Sequence, residues 1–289
     1  MPTPYGVVQE KLQKITETGS NRYPNVAPDN QQLLYVSSLR DKHAHSQIYM
    51  LNLGSKKEKR LTYQDGNIIN PQFFLNTQQV IYESTTDEDK EWPYLVGKYS
   101  TSLKSPPLAT KTIELFNDLL PLNNFEIYLS DNAGYSIRRL TDSRYFDGTT
   151  FILNAKELIF SSFQRQQIDL YKLKYQKRKW RRFRLTHTPE HELQAQVHKA
   201  SAKMAWVRMD KEFLYSHIFI GDLNAKKGEV IDTGVHYSFH PQWHPSGQYL
   251  IFTSNLANYD NYEIYAFDLK TQCLLRLTYL TSNELDPTF

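Results

Sequence analysis

The chain has 289 residues, more than a typical single domain and a good length for one repeat domain. Charged residues make up 22% and the formal net charge is +3, too weak a balance to require nucleic acid as a partner. The one cysteine, Cys273, excludes an intrachain disulfide, and no apolar run approaches the roughly 18–20 residues needed to cross a bilayer.

Met1 to Gln9 lack the basic segment and hydrophobic core of a signal peptide. From there the chain repeats itself. An outer strand reads Arg60-Leu61-Thr62, Arg139-Leu140-Thr141, Arg184-Leu185-Thr186 and Arg276-Leu277-Thr278, with degenerate copies ending at Thr16 and Thr233. The six threonines are 46, 79, 45, 47 and 45 residues apart. A period in the forties with strand-like content predicts a β-propeller. The 20 Tyr, 15 Phe and 4 Trp suit half-buried strands, and Cys273 is expected to be buried in one of them.

The predicted innermost strands open at Tyr23-Pro24-Asn25-Val26, Asn70-Pro71-Gln72-Phe73, Gly148-Thr149-Thr150-Phe151, Gln194-Ala195-Gln196-Val197, His240-Pro241-Gln242-Trp243 and Asp286-Pro287-Thr288-Phe289. Turns such as Pro28-Asp29-Asn30 and Pro245-Ser246-Gly247 follow, rich in residues that tolerate positive φ. Short apolar second strands come next, among them Leu33-Leu34-Tyr35-Val36 and Leu250-Ile251-Phe252, then third strands such as Gln47–Leu51 and Glu263–Phe267. The predicted fold is all-β: four-stranded antiparallel blades, six in register, the last incomplete. Blades span about 22–62, 68–141, 145–186, 192–233 and 238–278, with a closing blade from 5–16 plus 284–289. The second blade carries a long insertion, 86–123, whose Trp92 and Tyr94 are candidate contact residues.

These residues resemble the TolB-type, WD-repeat-like propeller family. The clearest copy is Pro241-Gln242-Trp243-His244-Pro245-Ser246-Gly247, then Ile251-Phe252-Thr253-Ser254, Glu263-Ile264-Tyr265 and Arg276-Leu277-Thr278. The resemblance covers nearly the whole chain. It implies a periplasmic or secreted setting and a protein-binding role. It also admits two alternatives: a metal-dependent polysaccharide lyase or hydrolase, or the accessory propeller of a larger peptidase. Blade four departs from the pattern, without the Pro-Asp-Gly turn or the Arg-Leu-Thr strand.

No catalytic constellation is legible. Gly134-Tyr135-Ser136 is a hairpin turn rather than a nucleophile elbow, and His191-Glu192 lacks the second His of a zincin. His236 and His244 would stand about 26 Å apart on one extended strand, too far to share a metal. The basic run from Lys174 through Lys179, Arg181, Arg182 and Arg184, with Trp180 and Phe183 interleaved, maps to the outer hairpin of blade three. Alternation splits its charges between two faces. The expected ligand site is the channel mouth, where Arg22, Tyr23, Asn70, Tyr145, Asp147, Glu192, Gln194, His240 and Asp286 would converge. The expectation is a non-catalytic module for a protein or peptide partner, with no cofactor and no metal.

Overall fold

The computed structural model describes residues 14–41, 43, 45–75, 77–86, 125–143, 146–164, 167–225 and 227–288. Strands fall into five sheets of four. The first holds β1 (Ser20–Val26), β2 (Gln32–Ser38), β3 (Gln47–Asn52) and β4 (Glu58–Arg60). The second holds β5 (Ile68–Phe73), β6 (Gln79–Ser84), β7 (Glu126–Asp131) and β8 (Arg138–Arg139). The third holds β9 (Asp147–Asn154), β10 (Glu157–Gln164), β11 (Gln167–Gln176) and β12 (Lys179–Arg184). The fourth holds β13 (His191–His198), β14 (Lys203–Met209), β15 (Ser216–Asp222) and β16 (Gly228–Val230). The fifth holds β17 (Ser238–Trp243), β18 (Tyr249–Ser254), β19 (Glu263–Asp268) and β20 (Cys273–Arg276). Every sheet is an antiparallel meander running outward from the axis.

The second strands are buried on both sides, as their unbroken apolar runs predict. In β2, Leu33 to Val36 are each no more than 4% exposed. Core residues key neighbouring blades together. Leu34, Val36 and Ile48 meet Ile68, Val80 and Tyr82 between the first two blades. Ile159 and Leu170 meet Met204 and Trp206 between the third and fourth. Trp206 is wholly buried, and the closeness of β16 to it requires Gly228: a Cβ there would lie 2.4 Å from the indole.

The Arg-Leu-Thr repeat is a hydrogen-bonding device. The outer strands are short, so the start of each third strand would lack a backbone acceptor. Thr62 Oγ1 accepts from Ile48 N–H, Thr141 from Ile127, Thr186 from Leu170 and Thr278 from Ile264, each at 2.9 Å. Arg60, Arg139 and Arg276 donate Nε–H to the carbonyl two residues on, at 2.6–2.8 Å. Buried acids on the third strands face three of these arginines: Glu126 by Arg139, Asp169 by Arg184 and Glu263 by Arg276. In blade four the acceptor is Asp232, not Thr233; its Oδ1 takes Ile218 N–H at 2.7 Å. The repeat there lies one residue earlier than its threonine suggests, which places it 46 residues from both Thr186 and Thr278.

The sequence pattern overcounts the blades. Five sheets are present among the described residues, not six. The segment after β20 forms no strand; in place of a ladder it bonds blade five near Tyr262 and blade one through Asp286. Glu284 N–H donates to Tyr262 O, Asn283 Oδ1 accepts from Tyr262 N–H, and Asn261 Nδ2 donates to Leu280 O. Lys14 to Thr16 are not in a strand, and 1–13 and Phe289 lie outside the described residues. So do 87–124, which include Trp92 and Tyr94, and Tyr145. Cys273 is exposed rather than buried, since it opens the outermost strand of its blade. No helix among the described residues is long and apolar enough to cross a membrane.

Candidate functional site

Six residues at equivalent places have left-handed backbone: Tyr23 (φ 54°), Asn70 (48°), Thr149 (50°), Gln194 (54°), His240 (54°) and Asp286 (55°). In five of the six, pairing between the first and second strands slips at this point, a β-bulge. A non-glycine residue held at positive φ costs on the order of 1 kcal/mol or more, so six in register are maintained by their surroundings. Proline follows four of them, at Pro24, Pro71, Pro241 and Pro287, and has no N–H for the bulge to strand. Thr150 stands in proline's place in blade three; its N–H is taken by Glu83 Oε1 of blade two at 3.0 Å.

These steps tie the blades together around the axis. Asp286 Oδ2 accepts from Tyr23 N–H at 3.4 Å, Ser161 Oγ accepts from Gln194 N–H at 3.1 Å, and Gln194 Oε1 accepts from His240 N–H at 2.8 Å. Thr149 occupies the blade-three position, one residue after the Gly148 that the sequence pattern placed first. Thr149 pairs through its hydroxyl with Ser161.

The ring frames a cavity of about 50 Å³. Tyr23, Asn70, Thr149, Gln194 and His240 line it, joined by Gln196 and Gln242 two residues further along their strands. Asp286 lies behind His240: its Oδ1 is 2.9 Å from His240 Nδ1. The pair does not meet hydrogen-bond geometry, and Nδ1 has no other partner among the described residues. Arg22 Nε donates to Asp286 Oδ2 at 2.9 Å, and its second contact reaches Oδ1 at 3.3 Å. Burial works to raise the Asp286 carboxyl, but the neighbouring His240 and Arg22 overcome it and hold the group below the usual carboxylate range. The Arg22 guanidinium also stacks 4.8 Å from the Tyr23 ring centre.

Of the expected mouth residues, Tyr23, Asn70, Gln194 and His240 line the cavity, while Arg22 and Asp286 back it. Asp147 and Glu192 do not reach it. The left-handed step breaks the two-residue alternation, and both acids lie in the blade faces. Asp147 accepts from Ser162 Oγ at 2.5 Å and pairs with Arg182; Glu192 pairs with Arg208 at 3.0 Å. Burial, added to the nearby Glu126 charge, pushes Asp147 up to about 7 against the pull of Arg182. Glu83, wholly buried beneath Asn70, is likewise raised to about 7 by burial, opposed by hydrogen bonds from Thr150 and Asn70.

Sequence reasoning missed Thr149, Gln196 and Gln242. The recurrence of Gln two residues past the ring position, at Gln72, Gln196 and Gln242, was the available signal. The other histidines are separate from this site. His191 Nδ1 accepts Ile168 N–H at 3.1 Å, His236 pairs with Asp232 at 3.0 Å, and His244 meets Ser246 at 2.7 Å. Among the described residues, no three His, Cys, Asp or Glu side chains are grouped as a metal site. In the basic hairpin, Arg182 and Arg184 are engaged by Asp147 and Asp169, and Lys174 by Glu157.

No protein-family model and no curated protein sequence matches the chain. Solved structures do. The crystal structure of TolB from Acinetobacter baumannii is similar with a TM-score of 0.68 at 15% identity, covering 94% of this chain and 58% of that one. A putative TolB from Agrobacterium tumefaciens gives 0.65 at 14% identity, over 94% of this chain and 86% of that one. An oligogalacturonate lyase in complex with manganese gives 0.57 at 9% identity, over 91% and 66%. The chain thus spans little more than half of the Acinetobacter protein. With this repeat, this sheet order and these likenesses together, the chain has the TolB-like β-propeller fold.

Proposed function

We propose that this propeller is a non-catalytic module that binds a protein or peptide partner, presenting one rim and the central channel to it. The supporting observation is an uneven distribution of exposed apolar side chains. The rim where second strands lead to third, and fourth strands to the next blade, carries Leu39, Tyr63, Leu214, Tyr215, Val235, Leu256, Tyr259 and Tyr279. The opposite rim carries Leu75, Tyr135, Ile137 and Tyr249 among the described residues. Exposed aromatic and aliphatic groups collected on one side favour a macromolecular contact. Asp147 and Glu192, two acids expected at the channel mouth, are engaged in ion pairs inside the blades. A periplasmic or secreted setting goes with this proposal through the family resemblance alone. The lyase and accessory-peptidase readings rest on shared fold, and no cavity residue favours either.

The test is affinity capture with paired variants. Tyr63→Ser with Val235→Ser and Tyr279→Ser removes apolar surface from the first rim; Leu75→Ser with Tyr135→Ser does so at the other. Loss of the same captured proteins in the first variant only is the expected result. Capture that survives the first variant unchanged refutes the rim as the contact surface.

A further inference from the structure

Two residues past the ring position, blades one, two, four and five carry a carboxamide (Asn25, Gln72, Gln196 and Gln242), yet these polar groups are spent unevenly. In blades one and two the second residue holds a neighbour. Asn25 Oδ1 accepts Phe73 N–H at 3.1 Å, and Gln72 Nε2 donates to Thr150 O. In blades four and five the equivalent Gln196 and Gln242 line the cavity, and their carboxamides make no hydrogen bond among the described residues. His240 stands beside them. Its Nδ1 faces Asp286, whose carboxylate is the one group in reach among the described residues to stabilise a proton there. Arg22 and the Tyr23 N–H hold that carboxylate in place, and its side chain is only 7% exposed.

The chemistry of this corner follows from the tautomer. A neutral imidazole with its proton on Nδ1 has a lone pair on Nε2, so it accepts and cannot donate. A carboxylate behind the other ring nitrogen is the usual way a protein imposes that choice. Two unpaired carboxamides next to it supply both donors and acceptors. We propose that His240 Nε2, with Gln196 and Gln242, is a recognition site for a backbone amide of an extended peptide, His240 accepting the peptide N–H and the glutamines bonding its carbonyls and N–H groups. Asp286 and Arg22 are positioning residues. This site rests on the peptide-binding reading above and makes it specific. It identifies which sector of the ring receives the ligand, and which atom of the ligand is indispensable.

The test is nuclear magnetic resonance on the full chain with 15N-labelled histidine and glutamine at pH 7.5, with His240→Gln used to assign the His240 signals. Without ligand, His240 should give the pattern of a neutral ring protonated at Nδ1; a ring protonated at Nε2 or at both nitrogens overturns the proposal. Acetyl-triglycine amide is then titrated in, beside acetyl-trisarcosine dimethylamide, which keeps the carbonyls and has no N–H. Saturable movement of His240 Nε2 with the first probe, and at least a tenfold weaker response to the second, is the expected result. If both probes move the Gln196 and Gln242 amide signals equally while His240 stays still, the peptide reading survives and the role of His240 falls. If neither peptide moves any cavity signal, or if maltotriose alone does, peptide binding in the channel falls as well.

Discussion

Asp286→Asn tests the junction that links the first blade to the chain segment after the fifth. The substitution keeps the shape of the side chain and removes its charge. Arg22 then keeps an amide where it had a bidentate carboxylate, at 2.9 and 3.3 Å. Breaking a fully buried pair costs about 3–5 kcal/mol. Arg22 retains some water, being 21% exposed against 7% for Asp286, which brings the expectation to about 2–3 kcal/mol. For a chain of this size that is a fall in Tm of about 3–5 °C at pH 7, read by circular dichroism melting. The pH dependence has a definite sign. The folded carboxyl lies below its unfolded value, so its stabilisation is complete above the unfolded value of about 3.9 and is lost as pH falls through the folded value. The gap between wild type and Asp286→Asn should therefore persist down to about pH 5 and close only in stronger acid. Equal melting temperatures at pH 7, or a gap that closes between pH 8 and 5, would show that this pair does not join the two ends.

Glu83 should behave in the opposite way. Its carboxyl is raised to about 7, so the folded state holds a proton that the unfolded state has released, and stability falls as pH rises from about 4.3 to about 7. Glu83→Gln should remove a penalty on the order of 3 kcal/mol at pH 8 relative to pH 5, seen as a flatter urea midpoint against pH. Asp147 adds a parallel slope that the substitution leaves in place; an unchanged total slope would rule Glu83 out as its source. Thr141→Val strands the Ile127 N–H that Thr141 Oγ1 accepts at 2.9 Å, an expected loss of about 1–3 kcal/mol with faster hydrogen exchange at Ile127. Stability within error of wild type would mean that another acceptor takes over. Gly228→Ala drives a methyl to 2.4 Å from buried Trp206, so about 1–3 kcal/mol of destabilisation and a shifted tryptophan emission are expected. An unshifted spectrum with native stability would show that the outer strand can move away freely.

The errors in reading the site have a common form. Thr149 was displaced by one residue because the strand opening was aligned on Gly148, whereas it is threonine that takes the left-handed conformation, with its hydroxyl against Ser161. Thr233 was read as the end of the degenerate copy in blade four, but carboxylate and hydroxyl oxygens are interchangeable acceptors for one N–H, and Asp232 serves instead. Asp147 and Glu192 were expected at the channel because they precede the inner strands, but a bulge redirects residues on either side of it. Gln196 and Gln242 were overlooked because nothing local separates them from Gln72, which is bonded to Thr150 across seventy-eight positions of chain.

The repeat of about 46 residues, the buried second strands and the short outer strands were all present in the order of the amino acids. They follow from requirements met within one blade: alternation of faces and an acceptor for each buried N–H. Only the assembled ring decided that the described residues form five sheets, that Asp286 contacts Arg22 and His240, and that Gln196 and Gln242, unlike Gln72, make no side-chain amide hydrogen bond among the described residues. Those outcomes depend on what a neighbouring blade brings to each equivalent position. That neighbour lies dozens of residues away along the chain and leaves no mark on the local pattern.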